Sequence, residues 1–385
     1  MDLCFLKAKR GANISYSVFS GVDTDEFHLM VEPEPLGSVC DQIGQVLESA
    51  LYFLQSKGMD RHNILFHRYF ASDIANSFES IRAAVQSTFE SPASIIQQPT
   101  TAGNKVAAWI YAVKFKAGTV RTHNNKNTLS IEHNGYQHLF ASQLSAADAC
   151  NSKLQTIQLF GKYNEILQNK DLTLAEHCIR TWLFVRDIDN NYQGMVKARN
   201  EVFAREGLTT NSHFIASTGI EGETHQAQTL VAMDAYAVGG IDSKQITHLK
   251  ALDHLSATAD YGVAFERATA VDYGDRRHIF VSGTASIDRK GQILHEKDIE
   301  KQTERTFENI AALLHEGQAS LNDLASILVY IRDWADHRFV ANYLQTHFPK
   351  VPALCVWAPV CRQGWLIEVE GIAIKKMEQN QFRNF

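Results

Sequence analysis

The stretch ALCVWAPVCRQGWLIEVEGIAI (353–374) ends in an alternating apolar strand that carries two carboxylates, and its outline occurs twice more in the chain. SIIQQPTTAGNKVAAWIYAV (94–113) and HFIASTGIEGETHQAQTLVAMDAYAV (213–238) close in the same way: a short apolar strand, a polar loop, a longer apolar strand. Aligned at their ends, Ala107 and Ala232 occupy the place of Glu368. One acid on a threefold scaffold points to one working site and two retired ones.

The repeat extends upstream. NILFHRYFASD (63–73), CIRTWLFVRDID (178–189) and SILVYIRDWAD (326–336) read as buried strands, each followed by a segment of helical period. Those segments are ANSFESIRAAVQSTF (75–89), MVKARNEVFARE (195–206) and RFVANYLQTHF (338–348). Units two and three also share an opening strand, GYQHLFASQLSA (135–146) against RRHIFVSGTASI (276–287), which leads to a helix at QTIQLFGKYNEIL (155–167) and EKQTERTFENIAALL (300–314). The period is about 110–130 residues, the size of a domain and not of a solenoid turn. The expectation is an α+β protein of three fused units at 1–118, 119–250 and 260–378, each a mixed sheet with helices on one face, arranged as an intrachain pseudo-trimer. The polar stretches 116–130 and 239–262 read as linkers between packed units.

With 385 residues, 45% of them hydrophobic, and a mean hydropathy of −0.22, the chain can bury substantial cores. A net charge of −6 and a pI near 6.2 argue against a nucleic-acid partner, which would require clustered positive charge. The start MDLCFLKAKRGANISYS lacks the apolar centre of a signal peptide, no run reaches membrane-spanning length, and Cys4, Cys40, Cys150, Cys178, Cys355 and Cys361 are scattered without a CxxC pair. These features suit a cytoplasmic protein with reduced thiols, no membrane partner, and a pseudo-trimeric monomer or homo-oligomer as its assembly. His62, His67, His133 and His138 lack the HExxH spacing, so neither a metal nor another cofactor is expected. TGIEGE (218–223) is not a phosphate loop, and the pairs Arg276-Arg277 and Lys375-Lys376 read as solvated surface.

On a strand, Glu368 and Glu370 share a face with their carboxyl groups about 7 Å apart. Repulsion and partial burial would raise the pKa of one of them, as a general acid at neutral pH requires. Arg180 lies on an otherwise apolar strand, where an unpaired charge is costly, so something anionic should meet it. Arg180 and Arg362 are the candidate carboxylate clamps, since a guanidinium grips a carboxylate with two hydrogen bonds.

HIFVSGTASID (278–288), EKQTERTFENIAALL, SILVYIRD (326–333) and LIEVEGIAI (366–374) together resemble the Rid family (endoribonuclease L-PSP-like) over roughly 265–376. That family is expected to form trimers with ligand sites between subunits. A resemblance to its chorismatase branch spans units two and three. It rests on Arg180-Thr181-Trp182, Gly194 with Arg199 and Arg205, Thr218-Gly219-Ile220, Tyr261-Gly262, Arg267-Ala268, Ser282-Gly283-Thr284-Ala285, Cys361-Arg362 and Glu368-Val369-Glu370-Gly371. The resemblance implies hydrolysis of chorismate or a related small carboxylated enol ether, with Glu368 and Cys361 catalytic and Arg180, Arg362, Thr218, Gly219, Tyr261 and Arg205 binding the substrate. Arg199 and Arg205 by themselves read as helix-surface charges.

A cysteine at 361 implies the branch that forms 3-hydroxybenzoate. The chain departs from the chorismatase pattern at Val263-Ala264-Phe265, which replace a Pro-Arg-Pro-Pro run, at Ala198 for a tyrosine, at Glu221 for a glycine and at Pro359 for an aspartate. Two other readings stay open: an imine or enamine deaminase of the Rid type, against which Leu354 stands where an arginine would be needed, and a small-metabolite-binding module without chemistry.

Overall fold

The computed structural model describes residues 11–118 and 120–385 in full and residues 2–7 as backbone; Met1, residues 8–10 and the side chain of Cys4 lie outside the described residues. Unit one runs β1 (Asp2–Lys7), β2 (Asn13–Ser20), β3 (Thr24–Glu32), α1 (Val39–Ser56), β4 (Ile64–Ala71), α2 (Ile74–Thr88), β5 (Ala93–Gln97) and β6 (Val106–Phe115). Unit two runs β7 (Arg121–Asn125), β8 (Thr128–His133), β9 (Tyr136–Ser145), α3 (Ser152–Gln168), α4 (Leu174–His177), β10 (Cys178–Val185), α5 (Ile188–Arg205), β11 (Ala216–Glu221) and β12 (Val231–Gly239). Unit three runs β13 (Ile246–Leu249), β14 (Ala268–Asp272), β15 (Arg276–Ala285), α6 (Ile299–Glu316), β16 (Leu324–Ile331), α7 (His337–His347), β17 (Ala353–Trp357) and β18 (Ile367–Lys376).

Each unit forms one six-stranded sheet, and the three strand orders are the same: β1-β2-β3-β6-β4-β5, β7-β8-β9-β12-β10-β11 and β13-β14-β15-β18-β16-β17. Among the described residues, the parallel pairs within the sheets are β4 with β5, β10 with β11 and β16 with β17, each joined by a crossover helix. Register carries the equivalence to single residues. Phe70 faces Ala107, Phe184 faces Ala232 and Tyr330 faces Glu368.

A glutamine in the first long helix of each unit repeats too. Gln42, Gln155 and Gln302 are buried and accept the backbone amide just before the terminal strand, from Lys105 (2.7 Å), Leu230 (2.7 Å) and Leu366 (2.9 Å). These bonds satisfy amides that the sheet ladders leave unpaired. One difference is structural: β9 against β12 and β15 against β18 carry a register shift, whereas β3 pairs with β6 without one. Such a bulge bends a strand and re-aims its side chains.

Helices cover one face of each sheet. The opposite faces meet in a shared core that includes Phe66, Trp109, Phe140, Trp182, Tyr236 and Phe280, and this makes the chain a pseudo-trimer. Buried ion pairs cross the junctions. Arg68 grips Asp234 through Nε (3.0 Å) and Nη2 (2.8 Å) between units one and two, and Arg276 Nη1 donates to Glu26 Oε1 (2.5 Å) between units three and one. Ser17 Oγ donates to the Ala325 carbonyl (2.6 Å) across the same junction.

Three readings of the sequence need correction. Arg276 is fully buried between Glu26 and Asp275, and Arg277 pairs with Asp272, so this pair is not solvated surface. The stretch 116–130 is not simply a linker: its polar residues make β7 and the start of β8, and polar side chains suit an exposed sheet edge. Ile246–Leu249, placed in unit two by the 119–250 boundary, pairs with β14 and so belongs to the third sheet. Among the described residues no helix is long and apolar enough to cross a membrane.

Candidate functional site

The terminal strand β18 puts Glu368 and Glu370 on one face, and both are buried. Their surroundings differ in donors. Glu370 receives the Arg180 guanidinium at 2.7 Å, the Trp182 indole N–H at 2.8 Å and the Thr218 hydroxyl. Among the described residues Glu368 has no hydrogen-bond or ion-pair partner, and its carboxyl faces a cavity between units two and three. Burial first, and the neighbouring Glu370 second, push its pKa up to about 8, against weaker opposing pulls from Arg180 and Arg267. Glu370 is occupied by three donors, and Glu368, without any, is left as the protonated acid.

Room for that acid comes from Gly283 on β15. A Cβ there would lie 1.9 Å from Glu368 Oε1 and 3.2 Å from the Thr218 methyl, so only glycine lets the carboxyl approach the strand. The Gly283 amide donates to Thr218 Oγ1 (2.9 Å), which closes the gap between the two sheets. Gly219 has the matching role on β11, since a Cβ there would press on the Tyr192 ring at 3.2 Å and on Met195 at 3.1 Å.

Three guanidiniums surround the cavity. Arg199 on α5 is 1% exposed, and its Nε and Nη2 have no hydrogen-bond partner. Arg267 lies between the rings of Tyr261 (5.4 Å) and Phe265 (5.3 Å) and donates to the Ser256 carbonyl and hydroxyl. Arg362 is held between Tyr261 (4.4 Å) and Trp365 (4.8 Å), with one long bond to the Gly291 carbonyl. Among the described residues none of the three forms an ion pair. Burial draws the Arg199 pKa down, yet a guanidinium keeps its charge in a protein.

Cys361 completes the wall, hydrogen-bonded to Tyr192, with its pKa raised to about 12 by burial and then by Glu368. A thiol so placed stays neutral and acts by shape and weak hydrogen bonding rather than as a nucleophile. The cavity measures about 40 Å³, room for two or three waters.

The structure thus brings Glu368, Cys361, Arg362, Gly219 and Tyr261 to one cavity. Arg180 and Thr218 do not line it: Arg180 Nη2 and the Thr218 hydroxyl bond Glu370, so a protein carboxylate meets the Arg180 charge, while Arg180 Nη1 is left without a partner. Arg205 is a surface residue in the last turn of α5, 3.4 Å from Glu206, and is removed from the binding set. Glu221, expected to add an acid near the site, instead accepts the Asp187 and Ile188 amides (2.9 and 2.7 Å) and caps the start of α5.

Arg199, a surface charge by its sequence reading, is inside. The signal for it was available, because Arg199 falls on the apolar stripe of α5 with Val196, Val202 and Phe203. Tyr192, seven residues earlier, shares its face. Among the described residues no cluster of three or more His, Cys, Asp or Glu side chains suits a metal ion.

An acid lies between adjoining α+β units, with cations from both units around it. Residues 264–375 match the family described as Endoribonuclease L-PSP. A RutC family protein of Pyrococcus abyssi is 37% identical over 100 residues, 26% of this chain and 79% of that protein. The 3-aminoacrylate deaminase RutC of Acinetobacter baylyi is 30% identical over 97 residues, 25% of this chain and 77% of that protein. A crystal structure of a chorismatase shares the fold with a TM-score of 0.61 at 16% identity, covering 81% of this chain and 93% of the other. The chain belongs to the endoribonuclease L-PSP (Rid) family, with the sequence likeness concentrated in its third unit.

Proposed function

We propose that the chain hydrolyses chorismate or a close dicarboxylated enol ether in the cleft between units two and three, with Glu368 as general acid. One observation carries this reading: three guanidiniums without a carboxylate partner surround one partnerless, proton-holding glutamate. A cavity with that balance calls for a ligand bearing two negative charges and a group to be protonated.

The chemistry balances on this chain's own groups. Glu368 delivers its proton to the methylene carbon of the enolpyruvyl group, making a methyl and leaving the positive charge on the ether carbon. Water adds to that carbon and returns a proton to the Glu368 carboxylate. The hemiketal then breaks its C–O bond to the ring, releasing pyruvate and a ring diol; net loss of water from the diol gives hydroxybenzoate, the outcome the resemblance at Cys361 favours. Arg199, Arg267 and Arg362 hold the two carboxylates. Arg180 and Thr218 act through Glu370, holding its carboxyl in place beside Glu368.

The likeness to a deaminase favours one other reading, hydrolysis of an imine. Leu354, where that reading needs an arginine, is 1% exposed in the core of β17, which supports the hydrolase instead. The test is incubation of purified protein with chorismate, with pyruvate release coupled to a lactate dehydrogenase assay and aromatic absorbance followed in parallel. Release of pyruvate supports the proposal. Its absence together with ammonia release from 2-iminopropanoate supports the deaminase, and inertness to both with binding of chorismate supports a binding module.

A further inference from the structure

A dianion of the proposed class does not fit a cavity of about 40 Å³, since small-ligand pockets run to about 300–1,000 Å³. One wall must therefore move, and the walls differ in how they are held. β11, β15 and β18 are locked in sheet ladders, and α5 packs on α3. The 358–366 loop is tied almost residue by residue: Ala358 to Ile331, Pro359 to Glu221, Val360 to Arg332, Gly364 to Gln302 and Trp365 to Ser286.

The segment 257–265 lies outside every ladder. Its backbone bonds are internal, Asp260 to Ala257, Gly262 to Ala259 and Val263 to Thr258, and Thr258 Oγ1 caps the Phe265 carbonyl at 2.6 Å. Among the described residues, the hydrogen bonds that tie it to unit two both come from one side chain. Asn200 on α5 donates Nδ2 to the Gly262 carbonyl (2.9 Å) and accepts the Ala264 amide on Oδ1 (3.1 Å). Gly262 has φ +82°, a left-handed turn where glycine bends freely, and it separates buried Val263, Ala264 and Phe265 from a tip that carries Tyr261. In unit three the Tyr261 ring is held by Arg267 and Arg362, the same guanidiniums that a ligand's carboxylates would engage.

We propose that residues 257–265 form a lid over this cavity, latched to unit two by the two Asn200 bonds, so that the site opens when that latch releases. The inference rests on the cavity being the functional site, and it goes beyond the chemistry proposed for it. Ligand binding and closure then compete for the same contacts: carboxylates arriving at Arg267 and Arg362 loosen Tyr261, and reclosure returns it.

Cys361 reports the opening without any turnover. When the lid is shut its thiol is partly exposed and neutral; opening hydrates it further and raises both access and thiolate fraction. The experiment is alkylation of the full chain by iodoacetamide with peptide-level mass spectrometry, comparing wild type, Asn200→Ala and Asn200→Asp. Losing both bonds in Asn200→Ala should speed labelling of Cys361 about tenfold, while Cys178 and Cys355 stay protected. Asn200→Asp keeps an acceptor for the Ala264 amide and loses the donor to Gly262, so it should fall between. Unchanged Cys361 labelling in both variants would overturn the lid, and so would an equal rise at Cys178 and Cys355, which would mean loosening of the whole fold. Because the readout needs no substrate, failure of the chorismate reading leaves it interpretable.

Discussion

The cleft between units one and two is built on the same strands as the cleft between units two and three, yet only the second holds an acid. Both keep a buried carboxylate on the terminal strand, Asp234 or Glu370, gripped by an arginine of the preceding unit, Arg68 or Arg180. The clefts diverge two residues earlier, where Ala232 replaces Glu368, and on the adjoining strand, where Gln143 replaces Gly283. Gln143 sends its side-chain amide to the Ile95 carbonyl (2.9 Å) of unit one and takes the space that Gly283 leaves open. The ion pair common to both clefts serves the assembly of the units. The bare acid and the glycine beside it serve the chemistry we propose.

That division can be broken most severely at Glu368. Glu368→Gln should lower pyruvate release from chorismate by about 10²–10⁴-fold, the usual loss for a positioned proton donor, with circular dichroism unchanged. The pH profile follows from the same group: since its pKa is raised to about 8, wild-type rate should fall as pH rises through that value. Stability follows the same sign. The proton held in the folded state favours folding fully below the ordinary carboxylate value of 4.5, and this contribution is lost as pH rises from there through about 8, so Glu368→Gln should flatten urea stability across that window.

Next in size is the structural pair. Asp234→Ala leaves Arg68 charged and buried among aromatic rings, and breaking such a pair costs about 3–5 kcal/mol. Urea denaturation monitored by tryptophan fluorescence should show that loss. A variant as stable as the wild type would contradict the assignment of this pair to assembly.

Smaller still is the effect expected at one clamp. Arg199→Met removes a charged donor from the site while keeping a long apolar stem, and should lower kcat/KM for chorismate by about 10–10²-fold, a charged hydrogen bond being worth about 1.5–3 kcal/mol. An unchanged kcat/KM would take Arg199 out of the binding set. The smallest effect belongs to the graft Ala232→Glu with Gln143→Gly. It recreates the acid and its space in the other cleft without the three arginines, and should leave turnover per chain unaltered in the pyruvate assay.

The features legible in the sequence were those written in local patterns. Three similar tails gave three units because strand alternation and helical period repeat in order, and the Glu368–Glu370 spacing showed two carboxylates on one face. Partnership was not legible. Arg180 needed an anion, but whether that anion was a ligand or Glu370 depended on a contact between residues 190 positions apart. Arg199 and Arg205 look alike in a string, yet six residues of helix turn them to different faces, one inside the cavity and one in solvent. Glu221 read only as an acid in place of a glycine because its use as a helix cap requires α5 to begin beside the end of β11.

The pairing of Glu26 with Arg276 sets a timetable for biosynthesis. The two residues are 250 positions apart, so unit one leaves the ribosome with a carboxylate placed for burial and no cation to meet it. At about 5–20 residues per second, the missing guanidinium follows after roughly 10–50 s. During that interval unit one must hold this face of its sheet open to water, and the ring of units closes only when β15 has been made.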